Sequence, residues 1–306
     1  MNKDLSEIIK FCHQNYNSDN VTGVVANLCF MSDKEMIQEY HPDYYRDGSL
    51  IRMFEITTSI AREIIPNNIS LIFSIEGCDK LYSLDDLEKL YELGLRAIAP
   101  VWNEANQYGS GIRTNKHLTQ LGRKLIKKAL NMGIAIDLSH ANYETFNDII
   151  DLIEIEKSNG LDTLVYASHS NCYSLCNRIR NLTDQQIKRL RDVGGFIGIF
   201  SNSNFVSLNN SNMTNNKLQE EYLNHIRHVE QIYGGINHIV LSTDDMKWCS
   251  NADSAYGMSQ IFPYKNLQKE LKILLSNYYS KSDVDKLMHI TGEKIYQKIN
   301  NRNKLK

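Results

Sequence analysis

Two hydrophobic patterns alternate along the chain. Short apolar runs rich in β-branched residues predict strands that are buried on both faces. Between them, apolar residues recur at three- and four-residue spacing, which predicts amphipathic helices. The seven predicted strands are residues 22–30, 69–75, 95–102, 133–139, 163–169, 195–201 and 238–244. The predicted helices are residues 50–65, 83–94, 118–133, 142–160, 182–195 and 216–235. Ser83 and Asp86 predict a capping-box-like start for the second of these helices.

Repeated βα units predict an α/β fold, either a (β/α)8 TIM-like barrel or an open, doubly wound parallel sheet. No G-x-G-x-x-G motif follows a predicted strand, which disfavours the dinucleotide-binding form of the open sheet. Only four prolines occur and no Pro- or Gly-rich linker interrupts the chain, so residues 1–306 are predicted to form one domain. Within it, residues 1–20 are predicted to be an N-terminal helical segment and the Asn/Ser-rich residues 202–215 a surface loop.

The composition predicts a globular protein that acts on a small molecule. Of the 306 residues, 42% are hydrophobic and 23% charged, which argues against disordered, collagen-like and coiled-coil proteins. The 34 Lys and Arg residues nearly balance the 36 Asp and Glu residues, so no net field would attract nucleic acid or an anionic membrane. There is no signal-peptide core and no apolar window of about 20 residues, so we expect a cytoplasmic location. The six cysteines form no C-x-x-C pair and are expected to be buried thiols.

Four predicted strands end at side chains that bind metals or transfer protons. These are Glu76, His140, His169 and Asp244. In a parallel barrel the carboxyl ends of the strands surround one axis, so these side chains would converge. Two imidazoles and one carboxylate suit Zn²⁺ or a similar ion, and an unligated aspartate could accept a proton from water. The pattern favours metal-assisted hydrolysis, although any one of these residues alone could equally be a structural histidine or a helix cap.

The same residues lie in segments that resemble the membrane (renal) dipeptidase family of zinc metallopeptidases. The resemblance covers roughly residues 22–300 in matching order and includes WNEAN at 102–106. Its main segments are IEG at 75–77, IDLSHA at 136–141, ASHSNCYSLCNRIRN at 167–181 and LSTDD at 241–245. It implies a barrel of the metal-dependent hydrolase type, with bridged zinc ions, that cleaves dipeptides.

The resemblance also implies a role for individual residues. Glu76 matches the carboxylate that bridges the zinc ions, and His140 and His169 match the histidines of the second zinc site. Asp244 matches the acid/base that handles the proton of the attacking water. Arg180 matches the arginine that binds the free carboxylate of the substrate, a task that suits a planar guanidinium. Trp102 stands where many members have a histidine that contacts the reacting carbonyl.

One departure from the family pattern keeps several interpretations open. Family members begin with a strand bearing a His-x-Asp pair that completes the first zinc site, and no predicted strand of this sequence bears one, since its single His-x-Asp, at residues 41–43, lies outside the predicted strands. The first barrel strand and its ligands are therefore expected to be missing, leaving seven strands and one zinc site. The chain could be a one-metal dipeptidase, a truncated product of a two-zinc enzyme, or a non-catalytic paralogue that binds a peptide or protein partner.

Two further expectations follow from these patterns. A metal-dependent amidohydrolase acting on a cyclic amide or ester is the alternative outside the family, because it would use the same strand-end chemistry. A seven-strand barrel would also leave the strands at 22–30 and 238–244 with unpaired edges. We expect either residues 1–20 to cover that gap or the chain to form a homo-oligomer.

Overall fold

The structure is a computed structural model that describes residues 23–29, 50–65, 69–244, 261–262 and 267–301. For residues 23–29 only the backbone is described. The described residues fall into two compact units. The first unit takes the described part of 22–165 and 296–306, and the second takes that of 166–295. The predicted N-terminal helical segment, residues 1–20, lies outside the described residues.

Strands and helices alternate from β1 to β7, as predicted, and further helices follow β7 in the described residues. The strands are β1 (Gly23–Cys29), β2 (Ser70–Glu76), β3 (Leu95–Ala99), β4 (Ala135–Asp137), β5 (Val165–Ala167), β6 (Phe196–Phe200) and β7 (Ile239–Ser242). The helices are α1 (Leu50–Ile64), α2 (Asp86–Glu92), α3 (Gln120–Asn131), α4 (Tyr143–Ser158), α5 (Asp184–Asp192), α6 (Ser203–Val206), α7 (Asn215–Tyr233), α8 (Leu267–Ser276), α9 (Lys281–Asp285) and α10 (Thr291–Asn301). A 3-10 turn (Asn210–Asn212) and a π-helical turn (Lys286–Ile290) complete the described elements. None of the described helices is long and apolar enough to cross a membrane.

In the first unit, β1 to β4 pair in parallel and in sequence order. Glu76, the last residue of β2, pairs with Ala99 at the end of β3, so the carboxyl ends of these strands lie at one edge. Strands β2 and β4 are buried on both faces over most of their length, which explains their continuous apolar runs. The unit thus places the residues that follow β2, β3 and β4 along the same edge.

In the second unit, β5, β6 and β7 also pair in parallel and in sequence order. All residues of β6 are buried. Gly198 in this strand lies close to the segment that follows β5. A Cβ added to this residue would lie 1.9 Å from the carbonyl oxygen of Ser168, so a larger residue would not fit without a shift of the main chain. The same glycine accepts a hydrogen bond from the amide of Ser170 at 2.9 Å. Gly198 therefore fixes the course of residues 168–170.

Helix starts follow the local sequence in most places. Thr119, Asn142 and Thr214 each accept a hydrogen bond from the first turn of α3, α4 and α7. Thr183 and Gln186 form a full capping box at α5. These polar side chains satisfy amides that have no partner within the helix.

Two local expectations differ from the structure. The capping box at Ser83 and Asp86 is wrong, because α2 begins one residue after the N-cap Asp85 and that cap makes no side-chain hydrogen bond. The Ser83 hydroxyl instead accepts from the Asp85 amide at 3.2 Å. Residues 202–215 are not an open loop throughout. They include the one-turn helix α6, whose residues Ser203 and Val206 are buried, because the amide side chain of Asn171 binds a carbonyl of this turn at Phe205.

Replacing Gly198 with alanine should destabilise the chain. The new methyl group would overlap the Ser168 carbonyl, and such overpacking costs about 1–3 kcal/mol. Denaturant unfolding of the natural chain and the G198A variant measures this difference in the free energy of unfolding.

Gly292 provides the matched control for this substitution. An added Cβ there would meet no atom within 4 Å, and alanine favours the helix in which the residue lies. We expect G292A to be at least as stable as the natural chain. Equal stability of G198A and G292A would contradict the close packing described for β6.

Candidate functional site

Glu76 stands at the carboxyl end of β2, where the chain turns sharply. Gly77 follows it with a φ of +81°, a conformation that favours glycine, and its amide binds the Ala99 carbonyl at 3.0 Å. The side chain of Glu76 is only 11% exposed, and its Oε1 lies 2.8 Å from Nε2 of His140. A buried carboxylate is stable only with charged or hydrogen-bonding partners, so this contact fixes the side chain.

His140 follows β4 and holds an uncommon backbone conformation. Its φ is +69°, in the left-handed region that side chains other than glycine rarely adopt. Its Nδ1 lies 2.8 Å from Oδ1 of Asn103, so both ring nitrogens have a protein oxygen within hydrogen-bond distance. Strained non-glycine residues of this kind cluster at functional sites, where the surrounding structure holds them.

Trp102 belongs to the same group of residues. Its ring centroid lies 5.9 Å from that of His140, with the planes tilted by 34°. The loop that carries it is packed against Gly111, where an added Cβ would lie 1.8 Å from the Trp102 carbonyl oxygen. An antiparallel bridge joins Gly111 to Ala141, the residue after His140. The loop after β3 and the turn after β4 are therefore held together by main-chain contacts.

His169 and Asp244 form a second group, in the second unit. His169 is almost fully buried, and its ring meets that of Phe200 edge-on at 5.5 Å. Its Nδ1 lies 2.6 Å from the Ser168 hydroxyl and its Nε2 lies 4.0 Å from Oδ2 of Asp244. Asp244 follows β7 with a φ of +46° and keeps a 24% exposed side chain. This carboxylate is open to solvent beside a buried imidazole, as a group that exchanges protons requires.

Arg180 is buried near His169 in sequence and in space. Arg180 is only 5% exposed, and its Nη1 donates a hydrogen bond to the hydroxyl of Ser170 at 3.1 Å. The segment that carries it is held by Asn171 and Asn181, whose side chains both donate to the carbonyl of Phe205. A buried guanidinium is costly unless it meets acceptors, so its position suits the binding of an anion.

The structure thus brings the six predicted site residues into two groups. Glu76, His140 and Trp102 lie together in the first unit, and His169, Asp244 and Arg180 lie in the second. Three of the predicted site residues also have a polar partner that the sequence interpretation did not assign. These partners are Asn103 for His140, Ser168 for His169 and Ser170 for Arg180. Their only signal in the sequence is that they stand next to Trp102 and His169.

His225 is a buried histidine that serves structure. It accepts a hydrogen bond at Nδ1 from the Cys172 amide at 3.1 Å, and Nε2 donates to the Val206 carbonyl at 3.0 Å. Burial lowers its pKa to about 4. The imidazole is therefore neutral near neutral pH and has both nitrogens occupied by the main chain. Cys78, Cys172 and Cys176 are buried thiols, as expected, and burial raises the pKa of each.

Because the pKa of His225 is depressed, the chain should lose stability as the pH falls. Between about pH 6.5 and about pH 4 the unfolded chain binds this proton and the folded chain does not, so the free energy of unfolding decreases as the pH falls across that window. Denaturant unfolding at several pH values should show a steeper decrease for the natural chain than for a His225→Gln variant. The same pH dependence in both proteins would contradict this role.

Comparison with curated protein sequences finds relatives of this chain. An uncharacterized protein of Klebsiella pneumoniae, from the region 5′ of pqqA, is 32% identical over 169 residues, which are 52% of this chain and 58% of that protein. The chain spans about half the length of the curated relatives it matches.

Two solved structures share the fold. The dipeptidase AC, a metallopeptidase of family M19, aligns with a TM-score of 0.69 at 20% identity, covering 97% of this chain and 96% of that chain. A metallopeptidase from Rhodobacter sphaeroides, liganded with a phosphinate mimic of the dipeptide L-Ala-D-Ala, aligns with a TM-score of 0.63 at 23% identity, covering 79% and 67%. These likenesses confirm the predicted α/β barrel class.

The family itself is shown by a match to a sequence model. The model of the family described as membrane dipeptidase, peptidase family M19, matches residues 44–304. This range includes every predicted site residue and more than half of the chain. The chain therefore belongs to the membrane dipeptidase family, peptidase family M19.

Proposed function

We propose that this chain is a metal-dependent dipeptidase that binds one zinc ion through Glu76, His140 and His169. It cleaves the peptide bond of dipeptides that carry a free C-terminal carboxylate. The observation that carries the proposal is the contact of 2.8 Å between Oε1 of Glu76 and Nε2 of His140. Membership of the M19 family supports the same activity.

The donor atoms of these residues fit zinc. Each of the three offers one ligand atom, a carboxylate oxygen or a ring nitrogen, and zinc prefers such ligands. Nδ1 of His140 lies 2.8 Å from Oδ1 of Asn103, and when the ring proton is on Nδ1 the lone pair of Nε2 faces Glu76. Two lone pairs at 2.8 Å repel each other unless a proton or a cation lies between them. The pair is thus suited to share a cation.

When bound, zinc lowers the pKa of water and polarises a carbonyl group. Asp244 accepts the proton of the attacking water and returns it to the leaving amine. Its partly exposed side chain and the distance of 4.0 Å between its Oδ2 and Nε2 of His169 support this role.

Arg180 binds the C-terminal carboxylate of the dipeptide. Its Nη1 is held by Ser170, and the planar fork of the guanidinium can donate two parallel hydrogen bonds to a carboxylate. Trp102 packs against His140 and supplies an apolar wall beside the reacting carbonyl. Together these residues select a short substrate with a free carboxylate.

Zinc content tests the proposed metal site. We expect about one zinc ion per chain by elemental analysis after dialysis, and its loss in Glu76→Gln and in His169→Ala. His117→Ala is the matched control, because this histidine side chain is 67% exposed and lies beside the carboxylates of Glu144 and Asp148, neither of which is a proposed ligand. The natural chain should hydrolyse L-Ala-D-Ala, and the two ligand variants should not.

Each other result has a defined meaning. Two zinc ions per chain would show that residues beyond these three complete a second site. No zinc after its addition, and no hydrolysis, would contradict the proposed function and favour a non-catalytic peptide-binding paralogue.

The Arg180→Met variant tests carboxylate recognition. Hydrogen bonds to a charged group contribute about 1.5–3 kcal/mol, so kcat/KM for a dipeptide should fall roughly 10- to 100-fold, mainly through KM. The C-terminal amide of the same dipeptide should be much less affected. Arg178→Met is the control, since that exposed side chain binds only the Asn204 carbonyl among its recorded contacts. Equal losses for the acid and the amide would contradict the role of Arg180.

A further inference from the structure

We propose that Asn103 is a positioning residue that keeps Nδ1 of His140 protonated and so makes Nε2 the metal-binding nitrogen. The inference rests on the proposed function and adds a residue to its site. Asn103 does not itself bind the metal or touch the substrate. It acts through His140, whose ring it contacts at 2.8 Å.

A neutral imidazole has one proton and can place it on either nitrogen. Glu76 alone would draw that proton to Nε2, because a carboxylate oxygen lies 2.8 Å away and only accepts hydrogen bonds. A proton on Nε2 would block the lone pair that a metal needs. An acceptor at Nδ1 opposes this, and Oδ1 of Asn103 is such an acceptor. The two contacts therefore compete for one proton, and Asn103 favours the tautomer that can bind a metal.

The main chain holds Asn103 in place for this task. Its carbonyl accepts from the amide of Arg113 at 2.8 Å, and the neighbouring Glu104 carbonyl accepts from the amide of Gly111 at 2.9 Å. Gly111 in turn bridges to Ala141, next to His140. Asn103 and His140 thus belong to two segments, the loop after β3 and the turn after β4, that main-chain contacts join. This geometry limits the movement of the amide relative to the ring.

The contact at His169 differs in chemistry. Its Nδ1 lies 2.6 Å from the Ser168 hydroxyl, and a hydroxyl can either donate or accept. Ser168 therefore does not select a tautomer by itself. Of these two polar partners, Asn103 is the one that can decide which nitrogen is free.

Zinc affinity of matched variants tests the inference. Asn103→Leu keeps the shape of the side chain without an acceptor, and Asn103→Asp keeps the acceptor. We expect zinc to bind about 10- to 100-fold more weakly to N103L in a chelator competition, as for other residues that orient ligands. N103D should bind zinc at least as tightly as the natural chain. Glu104→Gln is the control, because that neighbouring side chain is 58% exposed and pairs with Arg113.

A direct measurement of the tautomer separates this role from a merely structural one. Long-range proton–nitrogen correlation NMR of the metal-free natural chain should show the His140 proton on Nδ1, whereas in metal-free N103L it should move to Nε2, which faces Glu76. The rise in melting temperature on zinc addition, measured for each protein against its own metal-free form, should be smaller for N103L than for the natural chain.

The possible failures are distinguishable. Zinc binding by N103L as tight as by the natural chain, or by N103D as weak as by N103L, would overturn the inference and leave the proposed function intact. A proton on Nε2 of His140 in the metal-free natural chain would do the same. A natural chain that binds no zinc would overturn both.

Discussion

The burial of short parallel strands on both faces fixes the positions of the candidate site residues. A strand whose side chains are enclosed on both sides cannot rotate or slip without exposing apolar surface, which costs about 25 cal/mol for each square ångström. Strand β2 is buried up to Glu76, and every residue of β6 is buried. The residues that directly follow such strands are therefore attached to a rigid support. The φ and ψ angles of the few residues after each strand therefore determine where the carboxylate or imidazole lies.

Those angles are unusual at the site. Among the described residues, His140 and Asp244 are the non-glycine residues with positive φ. Left-handed conformations of this kind cost about 1–3 kcal/mol each and persist only where the surrounding structure holds them. For His140 the restraint comes from the loop after β3, through the contacts of Asn103 and the bridge between Gly111 and Ala141. Strain and function thus coincide at the residues that the proposed chemistry uses.

Hydrogen-bond partners of the candidate site side chains reduce the free-energy cost of burying them. His140, His169 and Arg180 are held by an amide oxygen, a hydroxyl and a second hydroxyl, respectively. An unpartnered polar group in such surroundings would cost about 1–3 kcal/mol. His225 shows the opposite use of the same principle, since the main chain occupies both of its nitrogens and leaves nothing for a ligand. Buried histidines in this fold are therefore distinguished by their partners.

The sequence by itself determined the order of strands and helices and the four strand-end residues, because hydrophobic periodicity and strand ends are local properties. It also carried the family resemblance, through segments around His140 and His169. The capping box predicted from Ser83 and Asp86 is wrong, because the Ser83 hydroxyl accepts a hydrogen bond from the Asp85 amide within a local turn. Only the tertiary structure decided that Asn103 meets His140 and that His225 is sealed by the main chain, because these contacts join residues 37 and 53 positions apart. No local pattern encodes them, since they arise from packing.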